Sequence, residues 1–215
     1  MSKATLNIFI TLLLVIIPAR SSALHPADDR QLQEVVVLGD KYKQRCLTSR
    51  GTRMPGAVSM FTPDRVGYEV GSALSVKRPF EVQEITFDIL SNTIKDVTLQ
   101  IAIYRDSDHS VMLNHSILVD IPEGEKLTVM GTLTESILLE PDEYVVAITF
   151  VDCDAEVKRQ WTNQKQWDSQ TRYKMMKQNI SFPLYLKAGS IRSITTEAFE
   201  KSPANIGLKV KGIKL

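Results

Sequence analysis

Val97-Thr98-Leu99-Gln100-Ile101-Ala102-Ile103-Tyr104 alternates bulky apolar residues with polar or smaller ones. Ile85-Thr86-Phe87-Asp88-Ile89 does the same just upstream. Successive side chains of an extended chain point to opposite faces, so both runs read as half-buried strands. Ser91-Asn92-Thr93 between them supplies turn chemistry.

The pattern continues downstream. Glu143 to Val151 carries apolar residues on both faces, at Tyr144, Val145, Val146, Ala147, Ile148 and Phe150. That profile predicts a central strand covered on both sides. Further strands are expected at 116–121, 126–133, 135–139, 181–187 and 189–194. Near the end Ile206, Leu208 and Val210 alternate with Gly207, Lys209 and Lys211. Asp106-Ser107-Asp108, Pro122-Glu123-Gly124 and Pro141-Asp142-Glu143 punctuate the series as turns. Many short strands with turns between them predict an all-β domain, a jelly-roll-like β-sandwich over 66–215, with a closed barrel as the alternative.

Upstream the rhythm fails. Residues 40–65 hold Arg45, Arg50, Gly51, Arg53, Pro55 and Gly56 without a period, and read as an extended basic loop. A short strand, Glu34-Val35-Val36-Val37-Leu38, precedes it, so 24–65 is expected to be a leader strand plus loop. Residues 1–23 read as a secretory signal: Lys3, an apolar run from Ile8 to Ile17, then Ser21-Ser22-Ala23 for cleavage. The apolar run is shorter than the roughly 20 residues that a spanning helix needs, and no transmembrane span is expected after it.

Removing that signal takes Lys3 and Arg20 away, so basic residues fall from 26 to 24 against 25 acidic ones. A nearly neutral exported chain gives no footing for nucleic acid. An oxidising compartment permits a disulfide between Cys46 and Cys153, which would stabilise the fold by about 4 kcal/mol in the chain-entropy view. The alternative is two unrelated thiols, one of them buried as a small apolar residue.

One segment stands apart. Residues 152–180 are polar and hold both tryptophans, Trp161 and Trp167, with Tyr173 beyond them and Arg159 and Arg172 alongside. Long connections in compact domains are often functional. Aromatic rings among arginines and amides suit a pyranose face or a protein interface. These five residues are therefore the candidate ligand-binding set. The competing reading makes the rings caps on the sandwich core, or the inner face of a surface helix from about Ala155 to Met176.

Catalytic signatures are lacking. The three histidines, His25, His109 and His115, share no metal-ligand spacing. Asp106-Ser107-Asp108 reads as an Asx turn rather than a calcium loop. No G-x-S-x-G elbow and no glycine-rich phosphate loop occur. No catalytic residue, metal or cofactor is expected. Asn114-His115-Ser116 and Asn179-Ile180-Ser181 fit the eukaryotic glycosylation pattern.

Gln31-Leu32-Gln33-Glu34-Val35-Val36-Val37-Leu38-Gly39 resembles the segment that opens the plug of TonB-dependent transporters, and the one that follows carboxypeptidase-like regulatory domains. Val70–Leu74, Pro79–Phe87 and Leu139–Ile148 are similar to an uncharacterised exported bacterial β-sandwich family. That resemblance implies a galactose-binding-like or carbohydrate-module-like sandwich in the periplasm or at the surface of a Gram-negative cell, with no established activity. The expectation is a non-enzymatic envelope module that binds a protein partner or a glycan. The alternative is a small secreted polysaccharide hydrolase with an acid pair in a sandwich groove.

Overall fold

The computed structural model describes residues 44–113, 116–163, 168–192 and 200–215. The expected signal at 1–23, the strand Glu34–Leu38 and Trp167 lie outside the described residues. Eleven strands are present: β1 (Gln44–Thr48), β2 (Thr52–Phe61), β3 (Glu69–Val76), β4 (Phe80–Asn92), β5 (Val97–Arg105), β6 (Ile117–Ile121), β7 (Gly124–Leu139), β8 (Asp142–Asp152), β9 (Ile180–Arg192), β10 (Glu200–Asn205) and β11 (Leu208–Lys214). A 3₁₀ turn, Pro63–Arg65, follows β2. Two short helices, α1 (Ala155–Asn163) and α2 (Ser169–Met175), lie between β8 and β9.

Pairing is antiparallel throughout, in the order β1-β11-β4-β9-β3-β8-β5-β6, with β7 on β4 and both β2 and β10 on β9. β9 changes partners along its length. Ile180 and Ser181 lie beside β4, and Ile180 to Leu186 pair with β2. Gly189 to Arg192 pair with β3. A strand that passes from one sheet to another in this way makes a sandwich corner. At that corner Gly189 is squeezed between β10 and β3. A Cβ there would stand 2.6 Å from the Ala204 carbonyl oxygen and 2.8 Å from that of Gly71.

The faces so joined enclose one core. Val82, Ile85, Phe87 and Ile89 of β4 meet Leu99, Ile101 and Ile103 of β5 and Tyr144, Val146, Ile148 and Phe150 of β8. Burying each of these contributes roughly 1.5–3 kcal/mol. Phe61 of β2 stacks on Phe150 of β8 at 5.6 Å and meets Phe182 of β9 edge-on at 5.3 Å, which ties the two layers together. The architecture is an all-β, jelly-roll-like sandwich. β8 is central, as its sequence predicts: Val145 and Ala147 pack with Ala102 and Tyr104 on its second face.

Three expectations change. The 40–65 segment is not a loop, because it supplies β1 and β2. β2 is broken by a bulge between Arg53 and Val58, with Gly56 in the left-handed region at φ 75°. β1 sends only Leu47 toward the core. Neither strand can show clean alternation, yet Phe61 is a core residue. The strands expected at 126–133 and 135–139 are one strand, β7, whose register against β4 shifts opposite Val82 and Glu84. β10 was not expected from Glu200-Lys201-Ser202-Pro203-Ala204-Asn205, which carries no apolar alternation.

The bridge between Cys46 and Cys153 is not formed, and both are free thiols. Cys46 is exposed on β1 opposite Lys211, while Cys153 is buried in the core beyond the end of β8. One side chain faces solvent and the other the interior, so they do not converge as a disulfide requires.

Candidate functional site

The 152–180 segment folds as two helices, close to the surface-helix alternative. Asp154 starts α1: its carboxylate accepts from the Val157 amide at 2.8 Å, and its own amide donates to the Lys95 carbonyl at 3.0 Å. Val157 and Trp161 are four residues apart and share a helix face. That face turns inward. Val157 packs on the core, and Trp161 is only 7% exposed. The Trp161 indole donates to Gln178 Oε1 at 2.9 Å.

The opposite face of α1 is solvated. Arg159 grips Glu156 through Nε and both carboxylate oxygens, at 2.8–3.0 Å. The hydrogen bonds from Gln160 and Arg159 lower the Glu156 pKa. Arg159 is thus an exposed i,i+3 pair on the outer surface.

Asp168 caps α2, accepting from the Thr171 amide and hydroxyl at 2.8 Å each. Those bonds hold its carboxyl below the usual range. Arg172 and Met176, one turn apart, face a groove. Tyr173 points elsewhere: it is 67% exposed, with the Lys177 ammonium 4.7 Å from its ring centre. The chain returns to β9 through Thr93. Its hydroxyl donates to the Lys177 and Asn179 carbonyls and accepts from the Asn179 amide at 2.9 Å.

The groove has a volume of about 740 Å³ and lies where the helical segment meets the β9 corner. Trp161, Arg172 and Met176 line it from the helical side. Val58, Ser59 and Met60 of β2, Leu184 of β9 and Ser202, Ala204 and Asn205 of β10 line it from the sheets, with Ile206 beside them. Val70 and Ile206 also belong to the sandwich core, so the floor is the edge of that core. The 3₁₀ turn adds Asp64 and Arg65. Thr62 donates to Asp64 Oδ1 at 2.5 Å, and the Arg65 guanidinium lies 5.5 Å from the Tyr68 ring centre.

Of the five residues expected to bind ligand, the structure brings two, Trp161 and Arg172, to one groove. Arg159 and Tyr173 stand outside it, and Trp167 lies outside the described residues. The sheet-side residues were missed, because the segment before 66 reads as loop and 200–205 carries no pattern. Thr62-Pro63-Asp64 after the bulky Phe61, a cap residue followed by proline and an acid, is the signal that could have found the 3₁₀ turn.

His25 and Asn114-His115 lie outside the described residues. Asp108 accepts from the Ser110 amide at 2.9 Å and the Ser110 hydroxyl at 2.7 Å, an Asx turn. Among the described residues no three His, Cys, Asp or Glu side chains converge as a metal site. No described helix is long and apolar enough to cross a membrane. The Asn179 side-chain Nδ2 donates to the Met176 carbonyl at 2.8 Å.

No known family model matches the chain, and no curated protein matches it. Among solved structures the chain is similar to one described as "Structure of infectious bursal disease virus Gx strain", at TM-score 0.34 and 10% identity. The likeness covers 81% of this chain but only 36% of that one. A similarity of that size transfers nothing functional.

Proposed function

We propose that this chain is a non-enzymatic binding module, exported to a cell envelope, that takes its ligand in the groove beside Trp161. The observation that carries this reading is the groove itself. Its volume of about 740 Å³ falls within the range of small-molecule sites, and its floor is apolar core. The signal-like residues 1–23 support export.

Binding is favoured over hydrolysis by the acid inventory. Among the described residues that line the groove, Asp64 is the single carboxylate. A glycosidase of the ordinary kind needs two that face one bond. Glycan stacking is disfavoured by the rings. Trp161 is buried, and Tyr173 lies outside the groove with Lys177 against its ring.

The test uses the mature chain carrying Trp167→Phe, which leaves Trp161 as the sole tryptophan. Its emission is followed while polysaccharides, peptides and amphiphiles are added. A saturable shift with one class, abolished by filling the groove with Ser59→Trp (followed by calorimetry), supports the reading. Binding that survives Ser59→Trp in a folded chain places the ligand elsewhere and overturns it.

A further inference from the structure

We infer that the groove binds a single-chain anionic amphiphile, a fatty carboxylate, with its acyl chain against the core edge and its head between Arg65 and Arg172. The inference rests on the groove being the binding site and names what enters it.

The apolar part of the argument comes from the walls. Met60, Met176, Leu184 and Ile206 line the groove together. Met176 remains 45% exposed although it faces this wall. Methionine is unbranched and polarisable, so two methionines across a groove adapt to a flexible chain better than to a rigid ring. Apolar side chains left accessible beside a continuous core edge gain free energy when a hydrocarbon covers them.

The head group follows from charge. Arg65 and Arg172 line the same groove. Among the described residues neither guanidinium has a carboxylate partner, whereas Arg50 and Arg159 each have one and Arg105 has two. Asp64 offsets one positive charge and is engaged by the Thr62 hydroxyl. The lining therefore carries one net positive charge, which complements a monoanion. A guanidinium matches a carboxylate through parallel N–H donors.

The polar lining is poorly suited to a sugar. Asn205, the one amide side chain there, already donates to the Ser49, Lys187 and Ala188 carbonyls at 3.1 Å each. Its oxygen accepts from the Gly207 amide at 2.8 Å. With both amide protons engaged and the residue 2% exposed, it has no donor left to read hydroxyl groups.

The experiment is calorimetry and Trp161 fluorescence on the mature Trp167→Phe chain, below micellar concentrations. The probes are dodecanoate, dodecanol and dodecyltrimethylammonium. Dodecanoate is expected to bind at least about tenfold more tightly than dodecanol, with the cation weakest, and the preference should shrink as salt rises. Arg65→Gln with Arg172→Gln should reduce dodecanoate to the affinity of dodecanol. Lys95→Gln, on the exposed β4–β5 turn, should change nothing. Equal affinity for dodecanoate and dodecanol overturns the assignment of the head. A shift with a polysaccharide or an acidic peptide, and none with dodecanoate, overturns the ligand class but keeps the site. Silence of Trp161 toward every probe, with no heat of binding, removes the site as well.

Discussion

Trp161 and Gln178 are joined across the helical excursion by a 2.9 Å bond from the indole to the amide oxygen, and the bond holds α1 against the strand return. The ring is buried at 7% exposure. In the ligand-free Trp167→Phe chain, Trp161 should therefore emit in the blue and resist iodide quenching. Gln178→Leu should lower stability by about 1 kcal/mol, the net worth of one such bond, read as a shift in urea midpoint. Red, quenchable emission would mean that α1 does not seat its ring.

The two thiols should behave as unlike groups. Cys46 is exposed and Cys153 buried. A thiol reagent at pH 8 is expected to find one thiol per native chain and two after denaturation. Two fast-reacting thiols in the native chain would contradict the burial of Cys153.

Cys153 also sets a pH dependence. Burial pushes its thiol up from 9.0 to about 11. The unfolded chain thus loses this proton at lower pH than the folded chain does. Stability from the neutral thiol is present below about pH 9 and falls as pH rises from there toward 11. Other groups titrate in the same window, so the measurement is a difference between the parent chain and Cys153→Ala. The parent should lose more stability between pH 9 and 11. Parallel pH profiles would show that the thiol is solvated.

These outcomes also mark what the sequence could disclose. β4, β5 and β8 are legible because both of their neighbours and the core act on them, so every second residue, or every residue, must be apolar. β1 and β2 were not legible, because an edge strand with a bulge is patterned by one neighbour and by solvent. Phe61 alone carries the inward signal of β2. The groove was half legible for the same reason. Trp161 and Arg172 stand out by residue type within a polar stretch, while Met60, Arg65 and Leu184 become neighbours only through the β9 corner. Pairing of Cys46 with Cys153 was unreadable because it depends on where side chains point, not on composition.

Arg50 should prove a stabilising joint. It bonds Asp88 at 2.5 Å, donates from Nε to the Gly207 carbonyl at 3.3 Å, and lies 5.6 Å from the centre of the Tyr185 ring. It thus connects the β1–β2 turn to β4, β9 and the turn before β11. Both partners of the ion pair are largely shielded, at 22% and 33% side-chain exposure. Arg50→Ala is expected to cost about 2 kcal/mol, the range for a charge-assisted bond. Arg50→Lys should recover only part, since an ammonium lacks the planar fork. Full recovery by lysine would show that charge alone matters there.

β7 exposes the last consequence. Among the described residues it pairs only with β4, which leaves its other edge open along sixteen residues. From Leu127 to Leu139 it carries one charge, Glu135, while Met130 and Leu138 are exposed. Unpaired strand edges template association, and natural edges are blunted by charge, most often lysine. The mature chain should therefore self-associate as its concentration rises, through this edge. Met130→Lys and Leu138→Lys should suppress that association in sedimentation experiments and change stability by no more than about 0.5 kcal/mol. Association undiminished by both lysines would locate the contact on another surface.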